Sequence, residues 1–172
     1  MTYFDNLNTK EVKKGELFLR KGETCKYGYK VVSGCLKSYV LNNNGKEHIL
    51  LFAPEDWIIS DMDSLFNTKP SNIFIEAIED SVIIKLTRND FENLFKSDIN
   101  ALKEQNIKLM KNLISVNRRL IGLLSSTAEE RYLEFLQTYP NMAQRLSLKL
   151  IASYLGITPE YLSEIRRKIA KK

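Results

Sequence analysis

Residue types that carry metal or redox chemistry are scarce in this chain of 172 residues. His48 is the only histidine, and Cys25 and Cys35 are the only cysteines. An iron–sulfur cluster needs about four thiolates, and a metalloenzyme built on a β-roll needs several closely spaced imidazole or carboxylate ligands. We therefore expect no metal and no cofactor. The sequence also shows no nucleophile–base arrangement and no glycine-rich phosphate-binding loop, so we expect no enzymatic activity. His48 is interpreted as a sheet residue and the cysteines as packing residues, with a redox pair as the alternative for the cysteines.

The chemistry that the sequence does favour is recognition of DNA, in a helix-turn-helix pattern near the C-terminal end. Ile151 and Leu155 lie four residues apart, on one face of a first short helix. Gly156 follows, where a helix commonly ends in a left-handed conformation. Thr158 and Pro159 then combine an N-cap with a first-turn proline, which predicts the start of a second helix.

The second predicted helix has the character of a helix that enters the DNA major groove. Leu162 and Ile165 supply its buried stripe, which leaves the other side chains free to contact base edges and phosphates. The predicted DNA-contacting residues are Thr158, Pro159, Glu160, Tyr161, Ser163, Glu164, Arg166 and Arg167. The alternative is a helical hairpin that only packs against the rest of the protein.

The net charge of the chain is concentrated in the same region. The formal charge is +5, and the residues from Arg145 onward contain seven basic and two acidic side chains. The residues before Arg145 therefore balance to zero. A basic patch confined to the predicted helix-turn-helix is the distribution expected where a protein contacts phosphates.

A heptad pattern precedes the helix-turn-helix and predicts one long helix. Its first set of positions, every seven residues, is Ile99, Asn106, Leu113 and Leu120. Its second set is Leu102, Leu109, Val116 and Leu123. A narrow apolar stripe on a long helix is most simply buried against a second copy, and Asn106 would select a two-stranded, in-register pair. The alternative is a helix packed along its own domain, with Asn106 in solvent.

The first ninety or so residues have a different pattern, in which short β-branched and aromatic runs alternate with turn signals. The predicted strands are Glu16–Leu19, Tyr29–Val32, Leu36–Leu41, Glu47–Phe52, Ile73–Ala77 and Ser81–Leu86. Such spacing predicts an antiparallel β-roll or sandwich. The predicted fold class is α+β, with a roll over residues 1–97, a dimerisation helix over 98–125 and a helix-turn-helix domain over 126–172.

Taken together, these residues resemble the Crp–Fnr (catabolite activator and fumarate-nitrate regulator) family of transcription regulators. The resemblance covers nearly the whole chain. It is carried by the roll segments Lys21-Gly22, Val32–Gly34 and Gly45–Glu47, the long helix and the helix-turn-helix. It implies a cyclic-nucleotide-binding-type roll and a bacterial homodimer that binds palindromic double-stranded DNA and contacts RNA polymerase. No apolar run approaches the ~18 residues of a membrane span, and no secretory signal begins the chain, so we expect a cytoplasmic protein.

Two departures from the family pattern concern the ligand and the C-terminus. In members that bind cyclic nucleotides, a Gly-Glu pair and an Arg followed by Ser or Thr hold the ribose and phosphate. This chain has Ser60-Asp61 and Pro70 at those places, and Lys69 is a poor substitute for the arginine, so we expect no cyclic AMP binding. The chain stops soon after the second helix, so no wing strands are expected.

A pocket for a less charged, unidentified effector stays possible. Its expected lining is Trp57, Ser60, Asp61, Ser71 and Asn72. Two other functions stay open at this point. One is a regulator that is controlled by protein contact and keeps a vestigial ligand domain, and the other is an RNA-binding or purely structural dimer.

Overall fold

The computed structural model describes Phe4 and residues 7–95 and 99–171, which group into two compact units divided between Glu104 and Gln105. The strands are β1 (Thr9–Val12), β2 (Leu17–Leu19), β3 (Gly28–Ser33), β4 (Leu36–Leu41), β5 (Glu47–Ala53), β6 (Ile58–Ile59), β7 (Phe74–Ala77) and β8 (Ser81–Leu86). The helices are α1 (Met62–Asn67), α2 (Arg88–Phe95), α3 (Ile99–Ser125), α4 (Ala128–Thr138), α5 (Leu148–Leu155) and α6 (Pro159–Ile169).

The strands of the first unit form two antiparallel four-stranded sheets. Their orders are β1-β8-β3-β6 and β2-β7-β4-β5. Val31 and Ile83 from the first sheet and Leu36 and Ile75 from the second are fully buried in one apolar cluster. These side chains lie in the cluster where the two sheets pack together. The predicted antiparallel roll is confirmed.

The structure contains strands and helices that the sequence patterns did not indicate. In β1 only Val12 is buried, so the strand has no apolar alternation, although it pairs with β8 along its length. The strand β6 has only two residues, Ile58 and Ile59. The short helices α1 and α2 were also missed, because the sequence patterns assigned no secondary structure to residues 62–67 or 88–95.

The β4–β5 hairpin contains His48 and a turn that is stabilised by the Asn42 side chain. In the β4–β5 hairpin, the Asn42 side-chain oxygen accepts hydrogen bonds from the backbone N–H groups of Asn44 and Lys46, both at 3.0 Å. His48 lies on β5, with its Nε2 3.3 Å from the Asn42 Nδ2.

Among the described residues, no group of three or more His, Cys, Asp or Glu side chains is placed to hold a metal ion. None of the described helices is long and apolar enough to cross a membrane.

The second unit contains most of α3 together with α4, α5 and α6. Its core is aromatic: the Phe135 ring lies 5.5 Å from the Tyr154 ring, and the Tyr139 ring meets Tyr154 edge-on at 5.7 Å. Ile151 and Leu162, both fully buried, extend this core toward α5 and α6. This packing fixes the two helices whose exposed side chains form the candidate site.

Candidate nucleic-acid interface

The first helix of the helix-turn-helix, α5, is capped at both ends. The Ser147 hydroxyl accepts a hydrogen bond from the Leu150 N–H at 3.3 Å, and the helix ends at Gly156, whose φ is 72°. The next N–H, that of Ile157, donates to the Ala152 carbonyl at 3.0 Å. The glycine therefore closes α5 in the left-handed conformation that the sequence predicted.

The second helix, α6, begins where its sequence signals indicated. The Thr158 hydroxyl accepts a hydrogen bond from the Tyr161 N–H at 3.2 Å, and Pro159 occupies the first helical position. Leu162 and Ile165 are buried, as predicted for the inner stripe. The start and the buried face of α6 are both as the sequence predicted.

The outer face of α6 carries the residues that we predicted to contact DNA. Glu160, Tyr161, Glu164, Arg166 and Arg167 are exposed, Pro159 and Ser163 are half-buried, and the capping residue Thr158 is exposed. Carboxylate acceptors lie toward the N-terminal end of this face and guanidinium donors toward its C-terminal end. Such a surface can accept hydrogen bonds from base amino groups and donate them to base edges or phosphates.

One basic residue of α6, Lys168, was missing from the predicted set. Its Nζ lies 2.8 Å from the Glu129 Oε2 on α4, and this contact raises the pKa of Lys168. The position in the last turn of α6, beside Arg166 and Arg167, is a signal that could have identified it. The ion pair ties the C-terminal part of α6 to α4.

The helix α4 opens with a capping box, formed by Thr127 and Glu130, and ends at Thr138. The Glu130 carboxylate accepts hydrogen bonds from the Thr127 N–H at 2.7 Å and from the Thr127 hydroxyl at 2.8 Å. These bonds hold the pKa of Glu130 below its ordinary range. The box fixes the point at which the chain turns from α3 into α4.

Two arginines outside the predicted site residues hold the end of α5. The Arg119 Nη2, on α3, donates to the Tyr154 carbonyl at 3.0 Å, and the guanidinium lies over the Tyr154 ring at 4.1 Å. The Arg131 Nε, on α4, donates to the Leu155 carbonyl at 3.2 Å, and its Nη1 donates to the Ser126 carbonyl at 2.7 Å. Burial lowers the pKa of Arg119.

The heptad positions of α3 are largely exposed in the single chain. The exposed fraction runs from 46% at Leu123 to 62% at Ile99, Asn106 is exposed, and Leu102 is half-buried. The remaining exposed heptad side chains are Leu109, Leu113, Val116 and Leu120.

The exposed apolar surface is wider than the narrow stripe that we predicted. Further exposed apolar side chains flank the heptad positions on one side: Ile107, Met110, Ile114, Ile121 and Leu124. We call the two sets together the α3 stripe. The prediction of a narrow stripe was wrong, because it counted only the two heptad positions and not their neighbours on the helix surface.

In the roll, two of the expected pocket residues are in direct contact. The Ser71 hydroxyl donates to the Asp61 Oδ2 at 2.7 Å, and the Asp61 Oδ1 accepts from the Ser64 N–H at 3.1 Å as the N-cap of α1. The buried Ser64 hydroxyl accepts from the Cys25 N–H at 2.8 Å and donates to the Lys69 carbonyl at 2.5 Å. The Asp61 carboxylate is therefore satisfied by groups of its own chain.

The other expected pocket residues are dispersed around this network. The Ser60 hydroxyl donates to the Tyr27 carbonyl at 3.2 Å. Trp57 is half-buried against the roll core, and Asn72 is exposed. Thus the structure joins Asp61 directly to Ser71, whereas the Ser60 hydroxyl lies 3.5 Å from the Cys25 Sγ at the edge of the same network.

The comparisons with known proteins agree with this arrangement. A cyclic nucleotide-binding domain model matches residues 9–98. The regulatory protein HlyX of Actinobacillus pleuropneumoniae is 29% identical over 99% of this chain and 76% of its own length. The fumarate and nitrate reduction regulatory protein of Vibrio cholerae is 27% identical over 94% of this chain and 68% of its own length. The structure of FixK2 from Bradyrhizobium japonicum superposes with a TM-score of 0.77 at 23% identity, over 96% of this chain and 85% of that one.

A β-roll followed by a long helix and a helix-turn-helix defines a class of two-part regulators, in which one part has the fold of a ligand sensor. Within that class, this chain belongs to the Crp–Fnr family of transcription regulators and carries a cyclic nucleotide-binding domain.

Proposed function

We propose that this protein is a dimeric, sequence-specific DNA-binding transcription regulator whose α6 enters the major groove of a palindromic operator. The observation that carries the proposal is the capped start of α6, with Leu162 and Ile165 buried and the opposite face exposed. A helix held in this way presents its first turns to base edges. Glu160 accepts from a cytosine amino group, and Arg166 and Arg167 reach guanine edges or phosphates.

The α3 stripe supports pairing with a second copy of this chain. A contiguous row of large apolar side chains along a helix of 27 residues is more than an isolated chain normally leaves in water. The two-fold symmetry of such a pair requires two inverted half-sites, roughly 10 base pairs or ~34 Å apart. Binding to RNA polymerase and location in the cytoplasm are part of the same proposal.

We further propose that the roll does not bind cyclic AMP. The Asp61 carboxylate and its partner Ser71 occupy the segments where the resemblance places the phosphate ligands, and Pro70 replaces the arginine. A nucleotide phosphate would lose its hydration beside a carboxylate without a bidentate cationic partner. Control by another small molecule, or by protein contact with a vestigial roll, are the two remaining modes.

The test of DNA recognition is selection of binding sites from random duplexes, followed by salt titration. We expect an inverted repeat from the natural chain. Glu160→Ala should relax one base position of each half-site at a cost of about 1–3 kcal/mol. If Arg167 contacts phosphate, the matched variant Arg167→Ala should weaken binding to all sequences alike and lower the salt dependence. Recovery of no inverted repeat, or of the same motif with Glu160→Ala, would overturn the assignment, and preference for RNA would favour an RNA-binding dimer.

The test of the roll is calorimetry with cyclic AMP and cyclic GMP. We expect no binding at submillimolar concentration, and micromolar affinity for either nucleotide would refute the proposal. A melting-temperature screen with uncharged small molecules then separates the two modes of control, because a ligand that binds the folded roll raises its melting temperature.

A further inference from the structure

We propose that Arg119 and Arg131 are positioning residues that set the angle between the helix-turn-helix and α3, and thereby the half-site spacing that the dimer accepts. This inference rests on the proposed function. It concerns side chains that lie outside the exposed face of α6 and outside the heptad positions.

The two arginines act on the C-terminal end of α5. The last carbonyl groups of a helix have no partner within the helix, and positive charge near them is favourable. The N–H groups of Gly156 and Ile157 turn back to the carbonyls of Ala152 and Ser153, not to the last two. Those last two carbonyls, of Tyr154 and Leu155, accept from Arg119 and Arg131.

The arginines reach α5 from both sides of the α3–α4 junction. Arg119 comes from α3, and Arg131 comes from the first turn of α4 and also donates to the Ser126 carbonyl at the junction itself. The aliphatic part of the Arg131 side chain lies close to α3 at Gly122. A Cβ atom added to Gly122 would be 3.6 Å from the Arg131 Cγ. Two successive carbonyls of α5 are thus held from two different helices. This arrangement resists rotation of the helix-turn-helix relative to α3, whereas a single contact would allow rotation about that contact.

The chemistry of these contacts requires arginine. A planar guanidinium donates in two fixed directions at once, as Arg131 does to the carbonyls of Leu155 and Ser126, whereas an ammonium group is a compact point charge. The Arg119 guanidinium also lies over the Tyr154 ring, 4.1 Å from its centroid, and burial raises the pKa of Tyr154. Lysine keeps the charge at either position, but it loses the two-direction donation of Arg131 and the guanidinium of Arg119 over the Tyr154 ring.

The functional consequence appears only in a pair of copies. Each helix-turn-helix is held to its own α3, and the two α3 helices would be held to each other by the α3 stripe. The angle at the α3–α4 junction then fixes the distance between the two α6 helices. Loosening this angle should leave each half-site contact intact and broaden the range of separations that are bound.

The experiment compares the natural chain with Arg119→Lys, Arg131→Lys and the control Arg118→Lys, an exposed neighbour on α3. Affinities are measured for operators with half-sites moved by one or two base pairs in each direction, and for a single half-site. We expect the first two variants to lose about tenfold in discrimination between the best and the worst spacing, since lysine cannot reproduce the two-direction donation of Arg131 or the guanidinium of Arg119 over the Tyr154 ring. Single-half-site affinity and the Arg118→Lys profile should stay unchanged.

The outcomes separate this inference from the proposed function. If the natural chain prefers no inverted repeat, the proposed function fails. If it prefers one spacing and both arginine variants keep that preference, the proposed function stands and the inference is wrong. A merely structural role would lower the melting temperature without changing the spacing profile, and that result also overturns the inference.

A second measurement does not depend on the arginine variants. Spin labels at Lys108→Cys on α3 and Ala170→Cys after α6 report the angle within one copy, with excess unlabelled chain added so that each dimer carries one labelled copy. We expect a single narrow distance in the DNA-free protein. A broad distance distribution would refute the inference even if both arginine variants failed to fold.

Discussion

Leu113→Asp places a charge in the middle of the α3 stripe. Because 54% of Leu113 is exposed in the single chain, pairing buries only that remaining part, which contributes roughly 1 kcal/mol per copy and about 2 kcal/mol per dimer. An unpaired charge forced into the seam costs about 3–5 kcal/mol more. The sum of roughly 5 kcal/mol or more weakens dimerisation at least about a thousandfold.

Sedimentation velocity over a range of concentrations measures this effect. We expect a dimer for the natural chain and a monomer for Leu113→Asp at the same concentration, with the far-ultraviolet circular dichroism spectrum unchanged. The control is Lys108→Asp, which adds the same carboxylate on the opposite face of α3, where the side chain is exposed. An unchanged dimer for Leu113→Asp would refute the reasoning, and equal dissociation of both variants would show that net charge and not the stripe controls assembly.

The remaining predictions concern single side chains of the second unit. Asn106→Leu should strengthen pairing and allow species larger than a dimer, and sedimentation equilibrium showing a weaker dimer would contradict this. Gly156→Ala should lower the free energy of unfolding by about 1 kcal/mol, because φ there is 72°. Its methyl group would lie 3.9 Å from the Leu123 Cδ2, an ordinary contact, so an unchanged urea midpoint would mean that the backbone carries no strain. The bonds from Thr127 hold the pKa of Glu130 below its ordinary range, so its stabilisation is complete above that range and is lost as pH falls through the lowered pKa. In the Glu130→Gln variant, the melting temperature should therefore fall less steeply as the pH is lowered. If the melting temperatures of the variant and the natural chain fall equally with pH, the capping box does not contribute to the acid sensitivity.

The elements that could be predicted from the sequence are those specified by neighbouring residues. The backbone conformation of the turn is specified locally by Gly156, Thr158 and Pro159. The end of α5 and the start of α6 could therefore be predicted to the exact residue. Asp61 offered the same kind of signal, because it is an N-cap residue directly before α1. We interpreted it only as a pocket residue, and the helix was therefore missed.

The elements that could not be predicted depend on partners far away in the chain. The strand β1 is specified by its backbone pairing with β8, as in the register of Thr9 with Ile84, and not by its own side chains. Arg119 contacts a residue 35 positions further along the chain, and Arg131 contacts one 24 positions further along. No short sequence pattern indicates contacts over such separations. Whether the predicted site residues contact DNA or a second copy stays a prediction, because it concerns molecules outside the chain.

Under the proposed assembly, the width of the α3 stripe would also affect the lifetime of the protein in a cell. A chain that has not found a second copy leaves large apolar side chains in water, up to 79% exposed at Leu124. Chaperones and proteases act on such surfaces, so solitary chains would be removed faster than paired ones. Under the proposed assembly, chains present at concentrations too low for pairing would mostly be degraded. The steady-state amount of the protein would therefore rise more steeply than its rate of translation.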